Sequence, residues 1–197
     1  MTDEQTIRSF LALDPPEEIL REIGRVQNRL QKLIHGDVRW VRPESIHLTL
    51  KFFGDISGNA VANISAVAEK AAAAVGPFEL VIGGAGVFPD MNRPRVVYLG
   101  MNGDVARLVT FQKELERALQ EIGFPREERP FRPHLTLGRI KSPKGLIGLA
   151  KALEKRETYT AGRFVASGLN LFKSDLTPRG AIYTRLAGYP FAGQEGA

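Results

Sequence analysis

The chain has 197 residues, a formal net charge of +5 and no cysteine, which excludes disulfides, thiolate metal sites and cysteine nucleophiles. Its length suits a single domain over residues 1–197 with a sizeable core, and no apolar run reaches the roughly 18–20 residues of a membrane-spanning helix. The excess of positive charge favours polyanionic partners only weakly, and the acidic, polar start of the chain differs from a secretion signal, so we expect a cytoplasmic protein.

The first half of the chain is predicted to contain strands separated by two helices. Proline fits the first turn of a helix, so the strand predicted at residues 7–13 gives way to a helix at Asp14-Pro15-Pro16. Apolar residues of that helix recur every three or four positions from Ile19 to Leu33, which is typical of one buried face. The other elements predicted in this half are strands at 38–41, 45–53, 78–82 and 95–101, and an alanine-rich helix at 61–75.

The second half is predicted to begin with an amphipathic helix that carries Leu108 to Ile122 and is closed by Gly123. A strand at 134–140, a short helix at 145–155 and a pair of strands at 164–172 and 181–186 follow, and residues 193–197 are expected to fray. Strands that come in groups separated by single helices favour a layered α+β fold over a regular parallel one.

One tetrapeptide, His-Leu-Thr-Leu, occurs twice in the chain, at residues 47–50 and 134–137, and uses two of the three histidines. Alternate side chains of a strand share a face, so each copy presents its histidine beside its threonine and turns both leucines toward a core. If a pseudo-two-fold axis relates the two strands, one cleft receives both pairs. The four candidate residues are His47, Thr49, His134 and Thr136.

Two imidazoles in one cleft suit displacement at a phosphodiester. Histidine titrates near neutral pH, so one copy can accept the proton of water while the other protonates the leaving oxygen. The threonine hydroxyls can donate hydrogen bonds to the non-bridging oxygens. Neither copy supplies a second ligand at metal-binding spacing, so we expect no metal site and no cofactor.

The segments around both copies, residues 43–54 and 131–139, resemble the two signature motifs of the two-histidine phosphoesterase superfamily. The branch that they resemble is the bacterial and archaeal RNA 2',3'-cyclic phosphodiesterases, also called 2'-5' RNA ligases. The resemblance covers almost the whole chain and includes residues 8–12, 86–89, 94–100 and 174–180. The four motif positions show no departure from the family pattern.

This resemblance implies a bilobal α+β fold with two antiparallel sheets that face each other across a central cleft and helices on the outside. It also implies hydrolysis of a 2',3'-cyclic phosphate to a 2'-phosphomonoester, with His47 as the acid on the 3'-oxygen and His134 as the base on water. The residues alone do not assign these roles, because two coupled imidazoles titrate as a pair. The implied substrate is an RNA end, a tRNA fragment or a small cyclic nucleotide, bound by a monomer.

Two arginines near the second motif are candidates for substrate binding. Arg139 lies on the opposite face from His134 in an ideal strand, so a bend must intervene if its family position near the phosphate is to hold. Arg132 shares the parity of His134 and could reach the cleft, or it could be a surface arginine before a proline.

Two residues after the first motif are weaker candidates on the same parity argument. Lys51 and Phe53 continue the face of Thr49, so Lys51 could add positive charge to the pocket and Phe53 could stack on a base. Core burial is the competing interpretation for Phe53, and we expect Trp40 and Tyr98 to lie in the core.

Two other functions are compatible with the same site. The reverse reaction would join a 5'-hydroxyl to the cyclic phosphate and form a 2'-5' linkage without ATP. A non-catalytic RNA or nucleotide binder is the third hypothesis, although binding alone does not require two acid–base groups.

Overall fold

The structure, a computed structural model, describes residues 6–178 and 180–192. Its strands and helices are, in chain order, β1 (Thr6–Leu13), α1 (Glu17–Gln31), β2 (Val38–Trp40), β3 (Leu48–Ser57), α2 (Gly58–Ala73), β4 (Phe78–Phe88), β5 (Val96–Gly103), α3 (Val105–Glu121), β6 (His134–Ile140), α4 (Leu149–Leu153), β7 (Thr160–Ala166), β8 (Gly168–Thr177) and β9 (Gly180–Pro190). The acidic start of the chain and the predicted frayed end at 193–197 lie outside the described residues. Within the described ranges, no helix is long and apolar enough to cross a membrane.

The strands form two antiparallel sheets, which confirms the predicted α+β class. One sheet has the order β3-β1-β8-β9 and the other has the order β2-β6-β5-β4-β7. Every paired strand is antiparallel to its neighbour. The first motif copy therefore belongs to the four-stranded sheet and the second copy to the five-stranded sheet.

The leucines of both motif copies face the hydrophobic core, as the strand alternation predicts. Their exposed fractions are 1% for Leu48, 4% for Leu50 and 0% for both Leu135 and Leu137. Helix α1 adds its apolar stripe to this core and packs against β7, whereas α2 packs against α3 and β9. Burial of these side chains anchors the two strands that carry the histidines.

The predicted strand at 164–172 is wrong, because the structure divides it at Ser167. The first part is β7 in the five-stranded sheet, and the second part is β8 in the four-stranded sheet. The buried positions also change phase there, from Phe164 and Ala166 to Leu169 and Leu171. A change of phase by one residue moves the apolar set to the other face, which is the signature of a strand that crosses between sheets.

Strand β4 is longer than predicted, since it continues to Phe88 through Gly83-Gly84-Ala85-Gly86. Glycine is poorly represented in strands, so sequence propensity ended this element early. The extension matters for the site because it places Phe88 next to His134.

Candidate active site

The two motif copies meet at one small pocket between the sheets. Its volume is about 80 Å³. The motif residues that line it are His47, Thr49, His134 and Thr136. The structure thus brings together the four side chains that the repeat predicted.

Both imidazoles are held by the same hydrogen bond to the backbone two residues earlier. Nδ1 of His47 lies 3.0 Å from the carbonyl oxygen of Ser45, and Nδ1 of His134 lies 2.7 Å from the carbonyl oxygen of Arg132. A carbonyl only accepts, so Nδ1 carries the hydrogen in each ring. Nε2 is therefore the nitrogen that can exchange a proton with a bound group.

His47 sits in a largely apolar environment. Its ring stacks on Phe10, with centroids 4.5 Å apart, and meets the edge of Tyr183 at 5.0 Å. Burial lowers the pKa of His47 to about 4, because the cationic form loses hydration there. The bond to the Ser45 carbonyl opposes this decrease in pKa, and the Arg139 guanidinium adds to it.

His134 has a similar environment. It makes edge contacts with Phe88, at 4.8 Å between centroids, and with Tyr98, at 5.7 Å. Burial again lowers its pKa, the Arg132 carbonyl opposes the decrease, and Arg139 lowers the pKa further. The lowered pKa values favour the neutral form of both imidazoles in the free protein.

A β-bulge follows the threonine in each motif. In the first sheet Ala12 pairs with Thr49 but Leu11 pairs with Lys51, so Leu50 is the extra residue. The second sheet repeats this irregularity, since Tyr98 pairs with Thr136, Val97 pairs with Gly138, and Leu137 is extra. Bulges bend a strand and change which face its later side chains point to.

The first bulge turns Lys51 and Phe53 away from the cleft, so the predicted pocket contact of Lys51 and base stacking of Phe53 are wrong, whereas the competing interpretation of core burial is confirmed for Phe53. Both residues lie behind the sheet, where Lys51 contacts Glu116 at 2.8 Å and Phe53 packs edge-on against Phe124. Neither side chain lines the small pocket or the larger cavity that adjoins it. Phe52 takes the cleft position instead and is 48% exposed.

The second bulge supplies the bend that Arg139 needs. Arg139 lines the small pocket and also the larger cavity beside it. Arg132 contributes its carbonyl oxygen to His134, whereas its exposed side chain lines neither cavity. Substrate binding by the Arg132 guanidinium stays a prediction.

The larger cavity adjoins the pocket on the side of the first motif. Its volume is about 490 Å³, and it is lined by His47 and Thr49 but by neither residue of the second pair. One wall, from the four-stranded sheet, includes Arg8, Phe52 and Leu176; the opposite wall, from β2 to β6, includes Arg39, Arg42, Arg139 and Lys141. The lining is therefore both cationic and apolar: four of its five Lys and Arg side chains come from the wall that also includes Trp40 and Val41, and the fifth, Arg8, lies over the Phe52 ring.

Several residues at the site were missed in the sequence. Phe10, Phe88 and Tyr183 surround the imidazoles, and Tyr98, which we expected in the core, contacts His134. Trp40 packs against the core as we expected, although it is only half-buried, and it also lines the larger cavity. Phe10 and its neighbour Leu11 are both buried, at 3% and 0% exposure, so apolar character in the sequence gives no sign that Phe10 faces a histidine.

Metal-binding side chains do not converge in the part of the chain that the structure describes. No group of three or more His, Cys, Asp or Glu residues there could hold a metal ion.

Two halves that each contribute one His-x-Thr strand to a shared pocket define the architecture of a two-histidine phosphoesterase. The family model described as LigT like Phosphoesterase matches twice, at residues 13–98 and 99–183, once for each half. The chain is 38% identical over 178 residues to an RNA 2',3'-cyclic phosphodiesterase of Methanothermobacter thermautotrophicus, which covers 90% of this chain and 95% of the relative. The chain belongs to the LigT-like phosphoesterase family.

Solved structures have the same fold. A Thermus thermophilus protein superposes with a TM-score of 0.77 at 26% identity, covering 96% of this chain and 100% of that one. E. coli LigT in complex with 3'-AMP gives a TM-score of 0.73 at 25% identity, covering 95% of this chain and 99% of that one.

Proposed function

We propose that this protein hydrolyses 2',3'-cyclic phosphate ends of RNA to 2'-phosphomonoesters by two-histidine acid–base catalysis. The observation that carries the proposal is the pair of imidazoles that share one pocket, each with Nδ1 committed to a carbonyl and Nε2 left for proton transfer. A phosphodiester displacement needs one proton acceptor and one proton donor on opposite sides of phosphorus.

The relatives support this substrate. The Methanothermobacter protein is an RNA 2',3'-cyclic phosphodiesterase, and E. coli LigT holds 3'-AMP, a nucleoside monophosphate of the size of an RNA terminus. tRNA fragments and small cyclic nucleotides are therefore the substrates to compare.

The larger cavity supports His47 as the acid and His134 as the base. Because only His47 borders this cavity, a nucleoside bound there lies on the His47 side of the phosphorus. Water attacks phosphorus opposite the 3'-oxygen and gives its proton to neutral His134. The bond from phosphorus to the 3'-oxygen breaks, and the imidazolium of His47 protonates that oxygen, so the phosphate stays on the 2'-oxygen.

Thr49, Thr136 and Arg139 are the groups that can stabilise the phosphoryl charge. The two hydroxyls border the pocket from opposite strands, and the guanidinium borders it from the end of the second bulge. Donors fixed around the non-bridging oxygens are worth most in a water-poor site.

The mixed cationic and aromatic lining of the larger cavity suits single-stranded RNA. Arg39, Arg42 and Lys141 can neutralise backbone phosphates, and the exposed ring of Phe52 can stack on a base. The Arg8 guanidinium lies 4.6 Å from the Phe52 ring centroid and covers one of its faces. The other face is the candidate surface for the base.

The lowered histidine pKa values predict the pH dependence. Catalysis needs one protonated and one neutral imidazole, and both pKa values lie below 6.5 in the free protein. The bell-shaped profile of kcat/KM should therefore peak below pH 6.5. The bound phosphate anion raises the pKa of the acid, so the profile of kcat should peak at a higher pH.

The test is a product assay on a defined RNA with a 2',3'-cyclic end. We expect the wild type to release only the 2'-phosphate, to work in the presence of a chelator, and to lose at least about 10³-fold activity as His47→Ala or His134→Ala. Thr110→Ala, at an exposed position of α3, is the folded control. Turnover retained by either well-folded histidine variant would exclude the two-histidine mechanism.

The same assay separates the alternative functions. Adding an RNA with a 5'-hydroxyl end measures formation of the 2'-5' linkage, and water at high concentration should keep ligation slower than hydrolysis. Tight RNA binding without turnover, unchanged when both histidines are removed, would instead indicate a binding protein.

A further inference from the structure

Each bulge carbonyl accepts a hydrogen bond from a buried glutamine. Nε2 of Gln27, in α1, donates to the carbonyl oxygen of Leu137 at 2.9 Å and to that of Val41 at 2.6 Å. Gln27 is 2% exposed. The Leu137 carbonyl also accepts the backbone N–H of Val41 at 2.8 Å, so the Gln27 amide is its second donor and additionally ties it to the Val41 carbonyl.

The other bulge has an equivalent donor. Nε2 of Gln112, in α3, donates to the carbonyl oxygen of Leu50 at 3.3 Å, and it also contacts Oε1 of Glu116 at 3.3 Å. Gln112 is 6% exposed. β3 is an edge strand, so Leu50 has no further strand on its outer side to supply a donor.

The two contacts are crossed between the halves of the chain. The glutamine of α1, which precedes the first motif, holds the second motif, and the glutamine of α3, which precedes the second motif, holds the first. Each contact falls on the residue immediately after the threonine of its motif. Two independent side chains thus fix the same atom in the two copies.

We propose that Gln27 and Gln112 are positioning residues, Gln27 for His134 and Thr136 and Gln112 for His47 and Thr49. The proposal rests on the function proposed above. Each amide fixes the peptide of the bulge residue, Leu137 or Leu50. Fixing this peptide also sets the direction of the threonine one residue earlier and of the histidine three residues earlier. Displacement of a reacting group by about 1 Å can cost about 10²-fold in rate. A small change in the geometry of the bulge is therefore expected to lower activity.

The variants that test the proposal are Gln27→Met and Gln112→Met, which keep the side-chain length but remove the donor. We expect each variant to lower kcat about 10-fold on the cyclic-phosphate RNA while KM changes less than about 2-fold. Gln27→Asn and Gln112→Asn retain the amide but are one methylene shorter, so they should give smaller losses and serve if a methionine variant does not fold.

A structural role alone would be revealed by two control variants. Ile23→Val and Leu119→Val remove a buried methylene from the same two helices without removing a donor. They should lower the melting temperature and leave kcat unchanged. If they reduce kcat as much as the glutamine variants do at equal loss of stability, the positioning role is excluded.

Nuclear magnetic resonance of the ring nitrogens tests the crossed pattern without turnover, and the chain has only three histidines. Gln27→Met should shift the His134 signals more than those of His47, and Gln112→Met should do the reverse. Equal shifts at both histidines, or none, would overturn the proposal. If the shifts are crossed but the wild type shows no hydrolysis in the product assay, the proposed function is wrong while the positioning of the histidines by the two glutamines still holds.

Discussion

β3, with His47 immediately before it, and β6 present the same tetrapeptide and the same bulge, yet they differ in the two residues that follow. In β3 these residues are Lys51 behind the sheet and Phe52 in the cleft; in β6 they are Gly138 and Arg139 at the corresponding positions. The shared part provides an imidazole and a hydroxyl on each side of the pocket. The part that differs provides a ring to the larger cavity and a guanidinium to both the larger cavity and the small pocket.

The region behind the two bulges differs as well. Nζ of Lys51 contacts Glu116 at 2.8 Å and donates to the Pro125 carbonyl at 2.6 Å. At Gly138 the space is already filled, since a Cβ there would lie 3.0 Å from Cε3 of Trp40. An ionic network supports one copy and close ring packing supports the other, so the same bulge geometry is reached by two kinds of packing.

The largest expected effect comes from breaking the ionic network. Lys51→Met leaves the Glu116 carboxylate buried without its partner, so we expect the free energy of unfolding to fall by about 3–5 kcal/mol. Urea unfolding measures this loss. The double variant with Glu116→Leu removes both charges and should recover most of the stability. A Lys51→Met protein as stable as the wild type would show that the pair contributes little.

Removal of the Arg139 guanidinium tests the phosphate side of the comparison. Arg139→Gln should lower kcat/KM about 10²-fold by removing a charge-stabilising donor. Since Arg139 lowers the pKa of both histidines, its loss should also move both limbs of the kcat/KM profile to higher pH. Arg163→Gln, on β7, is the control for a lost surface arginine. An unchanged pH profile would contradict a guanidinium close to both rings.

Acid should destabilise the protein through His47. Its pKa is about 4 in the folded protein against 6.5 when unperturbed, so the unfolded chain binds the proton more strongly. The His47 contribution to stability is complete above pH 6.5 and is lost as the pH falls toward 4. We expect the free energy of unfolding to fall by roughly 2–3 kcal/mol from this cause by about pH 4.5. The measurement is the difference between the pH dependence of stability in the wild type and in His47→Gln. Parallel curves for the two proteins would refute the lowered pKa.

The smallest expected effect distinguishes two adjacent phenylalanines. Phe52→Ala removes a cleft ring and should weaken RNA binding by about 1–3 kcal/mol without changing stability much. Phe53→Leu, on the other side of the strand, should lower the melting temperature and leave KM unchanged. Steady-state kinetics on the cyclic-phosphate RNA with thermal unfolding of each variant measures both effects. If Phe53→Leu weakens RNA binding and Phe52→Ala does not, Phe53 and not Phe52 is the ring that contacts RNA.

Much of the fold and half of the site could be predicted from the sequence. The alternation within each motif copy correctly predicted buried leucines, and the repeat predicted that His47 and His134 meet at one pocket. Both inferences depend on strand periodicity over three or four residues, which side-chain burial enforces locally. The helices were predicted for the same reason, since their apolar faces repeat within one turn.

The rest of the site depends on strand pairing. Counting alternate residues past Thr49 selected Lys51 and Phe53, because nothing in the residues themselves marks Leu50 as the one that leaves the ladder. A bulge arises when the pairing register of two strands shifts, and the partner strand lies far away in the sequence.

Two histidine–threonine strands anchored by leucines are evident from the residues alone, because periodic burial is a local property. Which neighbouring side chains enter the cleft depends on the strand pairing, since a shift of one residue in the pairing moves a side chain to the other face. The tertiary structure also decided which helix supports which motif. Gln27 and Gln112 reach their carbonyls across the fold, and only the packing of the halves brings those atoms together.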